Sequence, residues 1–286
     1  MSTPLVSVLM TAYNRELYIA EAIESVLAST YNNFELIIVD DCSKDGTVEI
    51  IRSYERNDSR IKFYQNENNL KDYPNRNRAA SYASGVYLMN VDSDDTIYSD
   101  SIEYAICEML KYSNAEFGIV CGDKNLFNKM MMRNDAIRYH FFNKPFLTKG
   151  PGGTIIKRSF FLSLNNYPVL YGPANDMYFN LKAASNGSTV ILNRELVFYR
   201  IHDGQEQNNQ FAYLYNGYNY LRDAVAELPL NLSLEQKRFI IKKNKRRFTT
   251  NILKYFFHSF NFQKTIIAIK KARFSFKDAI EGVFHL

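Results

Sequence analysis

The sequence contains no tryptophan among its 286 residues, and it contains only three cysteines. These cysteines, Cys42, Cys107 and Cys121, are odd in number and widely spaced. Their pattern disfavours a disulfide framework or a thiolate metal site, and it indicates a reducing compartment. No apolar stretch reaches the roughly 18 residues of a membrane span, and the start Met1-Ser2-Thr3-Pro4 lacks the features of a signal peptide. We therefore expect a cytoplasmic protein.

Charge is distributed unevenly along the chain. The segment from Leu230 to Leu286 has 13 lysines and arginines against 3 acids, a balance of +10, whereas the whole chain carries +5. Residues 1–229 therefore carry −5. An acidic body with a basic tail predicts that the tail meets an anionic surface.

Apolar runs alternate with amphipathic stretches through the first part of the chain. This order predicts an α/β fold with a mostly parallel sheet flanked by helices. Because the pattern is helical from about Phe211 onward, we expect one domain over residues 1–210 and a helical C-terminal region over residues 211–286. The predicted strands are Val6–Thr11, Phe34–Val39, Arg60–Tyr64, Val86–Val91 and Phe117–Val120, and the predicted helices are Glu16–Ser29, a helix with Ser43 as its N-cap, a helix that carries Ala79, Ala80 and Ala83, and Ile102–Leu110.

Three carboxylates stand within four residues at Asp92-Ser93-Asp94-Asp95, directly after the predicted strand Val86–Val91. Like charges at close range raise each other's pKa, so such a cluster needs a positive charge nearby. A hard divalent cation with oxygen ligands is one solution, and such cations also hold substrate phosphates. The alternative is a solvated turn or a helix N-cap, where aspartate is also favoured.

Polar residues follow two further predicted strands, at Thr11-Ala12-Tyr13-Asn14 and at Asp40-Asp41. The carboxyl ends of parallel strands lie at one edge of a sheet, where ligands bind in such folds. Asp40-Asp41 alone would more simply be a helix-capping pair. Three such clusters are difficult to explain as three independent caps, so the sequence predicts a ligand site at this edge.

In these stretches the sequence resembles the family 2 glycosyltransferases of the GT-A fold, over about residues 4 to 203. The matching stretches agree with the family in order and spacing as well as in content, and they are Val6–Asn14, Glu35–Ser43, Arg76–Ala80 and Met89–Asp95. The resemblance implies a Rossmann-like sheet and a hexosyltransferase-like reaction. In that reaction a sugar passes with inversion from a nucleotide diphosphate donor to an acceptor hydroxyl, in the assembly of a cell-surface polysaccharide or glycolipid.

The resemblance also implies which residues bind the donor. Thr11, Ala12 and Tyr13 should line the base and ribose, and Asp41 should accept a hydrogen bond from the N3–H of a uracil-type base. Because the N3 of cytosine has no proton, a carboxylate here favours a UDP-sugar. Arg76 should lie over the base or the diphosphate, and the alternative is that it is a surface helix residue.

The resemblance identifies Asp92 and Asp94 as the D-x-D motif of the family. It implies that Asp94 contacts the ribose and that Asp94 and Asp95 hold Mg²⁺ or Mn²⁺, which would stabilise the leaving diphosphate. His202, in Tyr199-Arg200-Ile201-His202, should join the metal or the diphosphate, although a lone histidine is as readily structural. The expected metal ligands are therefore Asp92, Asp94, Asp95 and His202.

The acceptor needs a base, and the resemblance assigns this role to Asp176. Asn175-Asp176 opens a predicted helix at the place of the family's Glu-Asp pair, so Asp176 should take the proton from the acceptor hydroxyl. The alternative is a plain helix N-cap. Gly150–Thr154 resembles the acceptor-side loop of the family, and the alternative there is a simple turn.

Several features depart from the family pattern. Cys42 stands where glycine is common, and Pro74 interrupts the segment before Arg76. Without tryptophan there is no Gln-x-x-Arg-Trp motif, and no long apolar helices follow. Both absences favour the addition of one sugar per encounter over processive polysaccharide synthesis.

Basic residues alternate with aromatic residues over residues 236–257. This pattern suits an interfacial helix on an anionic membrane, which a lipid-linked glycan acceptor would explain. A peripheral protein on the cytoplasmic face of the membrane is the corresponding expectation. The alternative is a helical appendage that packs on the first domain by its aromatic face.

Three other functions are weighed against this interpretation. No recognised reader motif supports nucleic-acid binding. A Rossmann dehydrogenase would need Gly-x-Gly-x-x-Gly after the first strand, where this chain has Thr11–Glu16. A catalytically inactive nucleotide-sugar-binding or membrane-scaffolding protein is the remaining alternative, and the joint presence of the D-x-D acids and Asp176 argues against it.

Overall fold

The computed structural model describes residues 3–122, 129–202 and 209–284. Most of its strands form one eight-stranded sheet, and two short strands form a separate ribbon. The strands are β1 (Val6–Ala12), β2 (Phe34–Asp40), β3 (Ile61–Gln65), β4 (Tyr87–Asn90), β5 (Thr96–Ile97), β6 (Phe117–Val120), β7 (Lys129–Met131), β8 (Thr154–Lys157), β9 (Thr189–Leu192) and β10 (Val197–Phe198).

The strand order in the sheet is β3-β2-β1-β4-β8-β6-β9-β7, and β5 pairs with β10. The strands from β3 to β4 are mutually parallel, and β6 and β9 run in the same direction as β4. The predicted mostly parallel sheet is therefore confirmed. Strands β8 and β7 run the other way, a feature that apolar runs cannot reveal because they carry no information on strand direction.

Helices cover both faces of the sheet. Successive residues of a strand point to opposite faces, so each strand contributes side chains to two apolar cores. On β1, for example, Val8 and Met10 belong to one core and Leu9 belongs to the other. The helices are α1 (Ile19–Leu27), α2 (Thr47–Glu55), α3 (Asp72–Tyr82), α4 (Ser101–Leu110), α5 (Arg133–Phe142), α6 (Arg158–Ser163), α7 (Asn175–Asn186), α8 (Gln210–Glu227), α9 (Leu234–Ser259), α10 (Phe262–Ala272) and α11 (Phe276–Phe284).

Two predicted helix starts are wrong. The first helix, α1, begins at Ile19 and not at Glu16, because residues 16–18 form a turn. Ser43 does not cap α2, whose N-cap is Gly46. Instead the Ser43 hydroxyl donates a hydrogen bond back to the Asp40 carboxylate, and the Ser43 Oγ accepts one from the Asn14 amide. Ser43 therefore fastens the end of β2 to the turn after β1, next to the site described below.

The C-terminal helices share the main core. Tyr220 and Leu221 on α8 and Ile240 on α9 are buried in the same apolar cluster as Leu9 of β1. A small separate cluster joins α8, α9 and α10 around Phe248. In the described ranges, no helix combines the length and the apolarity that a membrane span requires.

Candidate active site

The polar ends of three strands meet at one edge of the sheet. The pairing register places Ala12 opposite Asp40, while Leu9 on the other side of β1 pairs with Asn90, just before the acid cluster. These strand ends open into a pocket of about 570 Å³. It is lined by Thr11, Ala12, Tyr13, Asn14, Arg15, Asp41, Asn69, Lys71, Asp72, Tyr73, Asn75, Arg76, Asp92, Ser93, Asp94, Gly150, Pro151, Pro173, Asp176, Tyr199 and Tyr213.

Asp41 is a buried carboxylate on the wall of this pocket. Its Oδ1 accepts hydrogen bonds from Asn66 Nδ2 at 2.8 Å and from the Leu70 amide at 2.7 Å. Its Oδ2 accepts one from the Lys71 amide at 2.9 Å. These three hydrogen bonds fix the loop over residues 66–71. Since a carboxylate has about four acceptor positions, Asp41 can still accept a further N–H from a ligand.

Two residues beside Asp41 have backbone angles that favour glycine. Cys42 has φ 67° and Lys71 has φ 74°. The left-handed region is unfavourable for side chains other than glycine, and such residues concentrate at functional sites. The position of Cys42 is therefore one where glycine would be the less strained residue.

Arg76 lies inside the pocket, so the alternative of a surface helix residue is wrong. The side chain is only 9% exposed, and its guanidinium contacts Asp72 Oδ1 and Asp92 Oδ1, each at 2.7 Å. Pro74 does not break α3, because proline is tolerated in the first turn of a helix. Arg76 thus places a buried cation between the helix and the acid cluster.

Arginine side chains contact two of the three acids of the cluster, and the third is bound by a backbone amide. Asp92 pairs with Arg76 at 2.7 Å, and Asp94 Oδ2 accepts from Arg15 Nε at 3.0 Å. Asp95 is buried, and its Oδ1 accepts a hydrogen bond from the backbone amide of Arg200 at 3.0 Å. Burial, with Asp92 and Asp94 nearby, raises the pKa of Asp95 to about 7. The positive charge that the sequence requires here is therefore supplied in large part by arginine.

His202 contacts Asp94, the second acid of the cluster. Its Nε2 lies 3.0 Å from Asp94 Oδ2, and its ring stacks on Tyr18 with a centroid distance of 4.7 Å. The structure thus brings His202 to the D-x-D acids. Across the described ranges no group of three or more histidine, cysteine or acidic side chains is already arranged around a metal position.

Asp176 lies in the first turn of α7 and lines the pocket. Its Oδ1 accepts a hydrogen bond from the Met177 amide at 2.7 Å, and the Tyr73 hydroxyl lies 3.3 Å from its backbone nitrogen. Burial raises the pKa of Asp176 to about 7. A carboxyl group with this pKa can accept a proton near neutral pH.

Asn175 and the loop at Gly150 and Pro151 lie next to Asp176 and have different roles. The Asn175 side chain accepts from the Tyr171 amide at 2.9 Å and donates to the Gly172 carbonyl at 2.7 Å, so it fixes the turn before α7. Gly150 and Pro151 line the pocket, and a Cβ on Gly150 would lie 3.9 Å from Asp176 Oδ2. The loop predicted on the acceptor side is therefore beside Asp176.

The predicted site residues line the pocket, except Asp95 and His202, and the lining includes others that the sequence did not identify. Arg15 directly follows the first polar cluster, and a basic residue at that place is a signal that could have been used. Tyr213 comes from α8, far from every recognised stretch, and no local pattern marks it.

Comparisons with known proteins agree with this architecture. The family described as Glycosyl transferase family 2 matches residues 7–163. TuaG of Bacillus subtilis, which carries the name of a teichuronic acid biosynthesis glycosyltransferase, is 34% identical over 140 residues, which are 48% of this chain and 56% of that protein. This chain spans little more than half the length of TuaG, and the same holds for EpsE of Bacillus subtilis.

A longer match is WfgD of Escherichia coli, named as a UDP-Glc:alpha-D-GlcNAc-diphosphoundecaprenol beta-1,3-glucosyltransferase. It is 29% identical over 238 residues, which are 80% of this chain and 90% of that protein.

Solved structures share the fold. S. aureus TarS 1–349 in complex with UDP-GlcNAc aligns with a TM-score of 0.70 and 21% identity, over 92% of this chain and 79% of TarS 1–349. The mannosyltransferase PcManGT from Pyrobaculum calidifontis, solved with GDP-Man and Mn²⁺, aligns with a TM-score of 0.67 and 12% identity, over 98% of this chain and 78% of PcManGT. These likenesses confirm the predicted GT-A fold.

Proposed function

Because this chain belongs to glycosyl transferase family 2, we propose that it is an inverting, non-processive glycosyltransferase that moves a sugar from a UDP-sugar to an acceptor hydroxyl. The observation that carries the proposal is a single pocket lined both by the polar ends of β1, β2 and β4 and by Asp176. Its volume of about 570 Å³ suits a nucleotide sugar. Donor groups and a base would thus meet in one place.

The donor is proposed to lie on the strand ends. Thr11, Ala12 and Tyr13 would contact the base and ribose, and the Asp41 carboxylate would accept the N3–H of uracil. Asp41 suits this role because three hydrogen bonds already fix its orientation. Arg76 would approach the diphosphate, since a buried guanidinium favours phosphate oxygens.

A divalent cation, Mn²⁺ or Mg²⁺, belongs to the proposal. Asp92, Asp94, Asp95 and His202 would hold it, because carboxylate oxygens and imidazole suit these cations. As Asp94 Oδ2 contacts both Arg15 and His202, Arg15 would have to release this oxygen first. Bound there, the cation would stabilise the negative charge of the departing diphosphate.

Asp176 is proposed as the general base. Its carboxylate would take the proton of the acceptor hydroxyl while the oxygen forms a bond to the anomeric carbon of the donor sugar. The bond from that carbon to the diphosphate oxygen breaks at the same time, and the electron pair leaves with UDP. Attack opposite the leaving group inverts the anomeric configuration.

Release of UDP from a panel of nucleotide sugars tests this function. We expect turnover with a UDP-sugar in the presence of Mn²⁺, and we expect its loss after EDTA and recovery when Mn²⁺ is added back. GDP-mannose serves as the control for the choice of nucleobase. If UDP binds but no sugar nucleotide releases UDP with any acceptor supplied, the inactive nucleotide-sugar-binding alternative replaces the proposal.

The acceptor is proposed to be a glycan or lipid-linked glycan in cell-surface polysaccharide assembly, handled on the cytoplasmic side of the membrane. The names of TuaG and WfgD support this class, since one refers to teichuronic acid and the other to a diphosphoundecaprenol-linked sugar. We retain residues 1–210 as the catalytic domain and residues 211–286 as the helical region. The packing of α8 in the main core supports close cooperation between them.

The helical region is also proposed to contact an anionic membrane. Within residues 236–257 some side chains are buried, such as Phe248 in the cluster with α8 and α10, whereas Phe257 is 63% exposed. Phe260 and Phe262 continue this exposed edge at 76% and 66%. Phenylalanines beside lysines such as Lys264 suit the interface of an anionic bilayer.

Co-sedimentation with phosphatidylserine vesicles tests the membrane contact. The protein should sediment at low salt and be released as salt rises, because exposed charges are screened. Combined substitution of Phe257, Phe260 and Phe262 by serine should abolish sedimentation. Phe276→Ser, which changes an even more exposed phenylalanine on α11, is the control. Equal sedimentation of both variants and the parent would rule out this edge as the contact.

A further inference from the structure

A second cleft adjoins the pocket, and we call it the helical cleft. It has a volume of about 190 Å³ and lies between the start of α7 and the facing sides of α8 and α9. Its lining residues are Met177, Tyr213, Leu214, Gly217, Tyr218, Tyr220, Asn244, Arg247, Phe248 and Asn251. Tyr213 lines both spaces, and Met177 follows Asp176 directly, so the helical cleft begins beside the proposed base.

Gly217 keeps this cleft open. It lies in the middle of α8, where glycine is an unfavourable residue for a helix. A Cβ at this position would meet no described atom within 4 Å, so close packing does not require glycine here. A larger side chain would instead project into the cleft. The glycine is therefore explained best by the space that it leaves free.

The cleft combines aromatic rings with positioned polar groups. Tyr218 and Phe248 pack together at a centroid distance of 5.0 Å and form its apolar base. Arg247 Nη2 donates to the Gly217 carbonyl at 2.9 Å and to Asn244 Oδ1 at 3.1 Å, so the guanidinium is held beside the open space. A guanidinium has five N–H donors, more than these two bonds and its interaction with the Tyr220 side chain use.

These groups indicate a class of ligand. The C–H face of a sugar ring packs on aromatic rings, and amide side chains bond its hydroxyls. A guanidinium fixed in position selects a carboxylate or a phosphate, which it binds through paired N–H donors. The +10 balance from Leu230 onward, against −5 in the rest of the chain, would attract an anionic ligand to this side.

We propose that the helical cleft is an acceptor subsite for an anionic glycan. A sugar unit that carries a carboxylate or a phosphate would occupy the cleft against Arg247, while the neighbouring unit presents its hydroxyl to Asp176. Tyr213 would lie under the link between the two units. This inference rests on the proposed glycosyltransferase function and adds the charge of its acceptor.

Calorimetry on the full chain saturated with UDP tests the subsite. The probes are an oligoglucuronate, an oligomer of glycerol phosphate and a neutral oligoglucoside. We expect at least one anionic probe to bind, Arg247→Gln to weaken it by about 10–100-fold, and Gly217→Leu to abolish it. The preference between the two anionic probes identifies the anion. Arg246→Gln removes the same charge from a neighbouring position that does not line the cleft, and it should leave binding within about twofold.

UDP affinity separates the possible failures. It should remain within about twofold in all three variants, because none of these residues lines the donor pocket. If UDP does not bind the parent protein, the proposed function fails and the subsite fails with it. If UDP binds but neither anionic probe does, or if Arg247→Gln and Arg246→Gln behave alike, the subsite alone is overturned. Should Gly217→Leu not fold, Gly217→Ala and Arg247→Gln still decide the question.

Discussion

Asp92 and Asp94 lie at the proposed donor end of the pocket and Asp176 lies at the proposed acceptor end, and the surroundings of these carboxylates differ. Asp92 and Asp94 each contact an arginine, at 2.7 Å and 3.0 Å respectively. Asp176 is buried, and within the described ranges no cation lies within ion-pair distance of it. Burial raises the pKa of Asp92 as well as that of Asp176, and at Asp92 the contact with Arg76 opposes this rise.

This difference divides the work of the pocket. At the proposed donor end the acids contact arginines, and a bound cation would have to displace Arg15 from Asp94 Oδ2. A buried carboxylate with a pKa of about 7 can both accept and release a proton near neutral pH. We therefore propose that Asp92 and Asp94 serve binding and that Asp176 serves proton transfer. The pKa of Asp95 is also raised to about 7, but Asp95 is not among the residues that line the pocket, whereas Asp176 is.

The largest effect is expected when Arg76, whose guanidinium contacts Asp72 and Asp92, is replaced by an uncharged residue. Arg76→Met leaves Asp92 without its partner, and we expect the free energy of unfolding to fall by about 2–4 kcal/mol. This is somewhat less than for a fully buried pair, because Asp72 is 47% exposed. UDP affinity should fall by at least about 100-fold. Urea unfolding and calorimetry measure the two quantities.

Arg78→Met is the matched control for Arg76→Met. Arg78 lies two residues later on α3 and is exposed, with its Nε 3.2 Å from the Tyr82 hydroxyl. Surface substitutions usually change stability by within about 0.5 kcal/mol. Similar losses in both variants would mean that the helix, and not the buried cation, carries the effect.

A smaller effect of opposite sign is expected for Asp176→Asn. The pKa of Asp176 is about 7 in the folded protein, against 3.8 as its ordinary value. Between these values the unfolded chain gives up a proton that the folded chain keeps, so folding loses stability as pH rises from about 4 to about 7. The asparagine variant avoids this loss and should be more stable than the parent by about 1–4 kcal/mol at pH 8, but not at pH 4.

Urea unfolding at the two pH values measures this difference. Asp94→Asn is the control, because Asp94 has an arginine partner and should gain no stability at pH 8. An equal effect of Asp176→Asn at both pH values would mean that Asp176 is an ordinary surface-like carboxylate.

The smallest effect concerns Arg15. Because its Nε competes for Asp94 Oδ2, Arg15→Gln should strengthen the binding of Mn²⁺ alone by about 3–10-fold. Manganese titration followed by electron paramagnetic resonance measures this affinity. Lys44→Gln removes an exposed charge from the neighbouring loop without touching Asp94, and it should have less effect. Weaker Mn²⁺ binding in Arg15→Gln would show that Arg15 supports the metal position.

The proposed donor end could be predicted from the sequence because its residues follow parallel strands. Once the strands are recognised, geometry brings Thr11, Asp41 and Asp92 to one edge. The arginines that balance these acids were less accessible, since Arg15 reaches Asp94 across 79 positions of sequence. Arg76 was identified only through the family resemblance.

The proposed acceptor end was harder to predict from the sequence because its residues lie on several helices. The residues that form the helical cleft lie on three helices, and their common location depends on how α8 and α9 cross. Local periodicity predicts such helices but not their contacts. The antiparallel direction of β8 was missed for a similar reason, because an apolar run specifies a strand but not its direction.

One measurement tests the central division most directly: the rate of sugar transfer and the affinity for UDP, determined together in Asp176→Asn. This substitution keeps the shape of the side chain and removes its basic oxygen. The account predicts that transfer falls by about 10²–10⁴-fold while the dissociation constant of UDP stays within about twofold. Near-normal transfer, or a loss of UDP affinity as large as the loss of transfer, would contradict it.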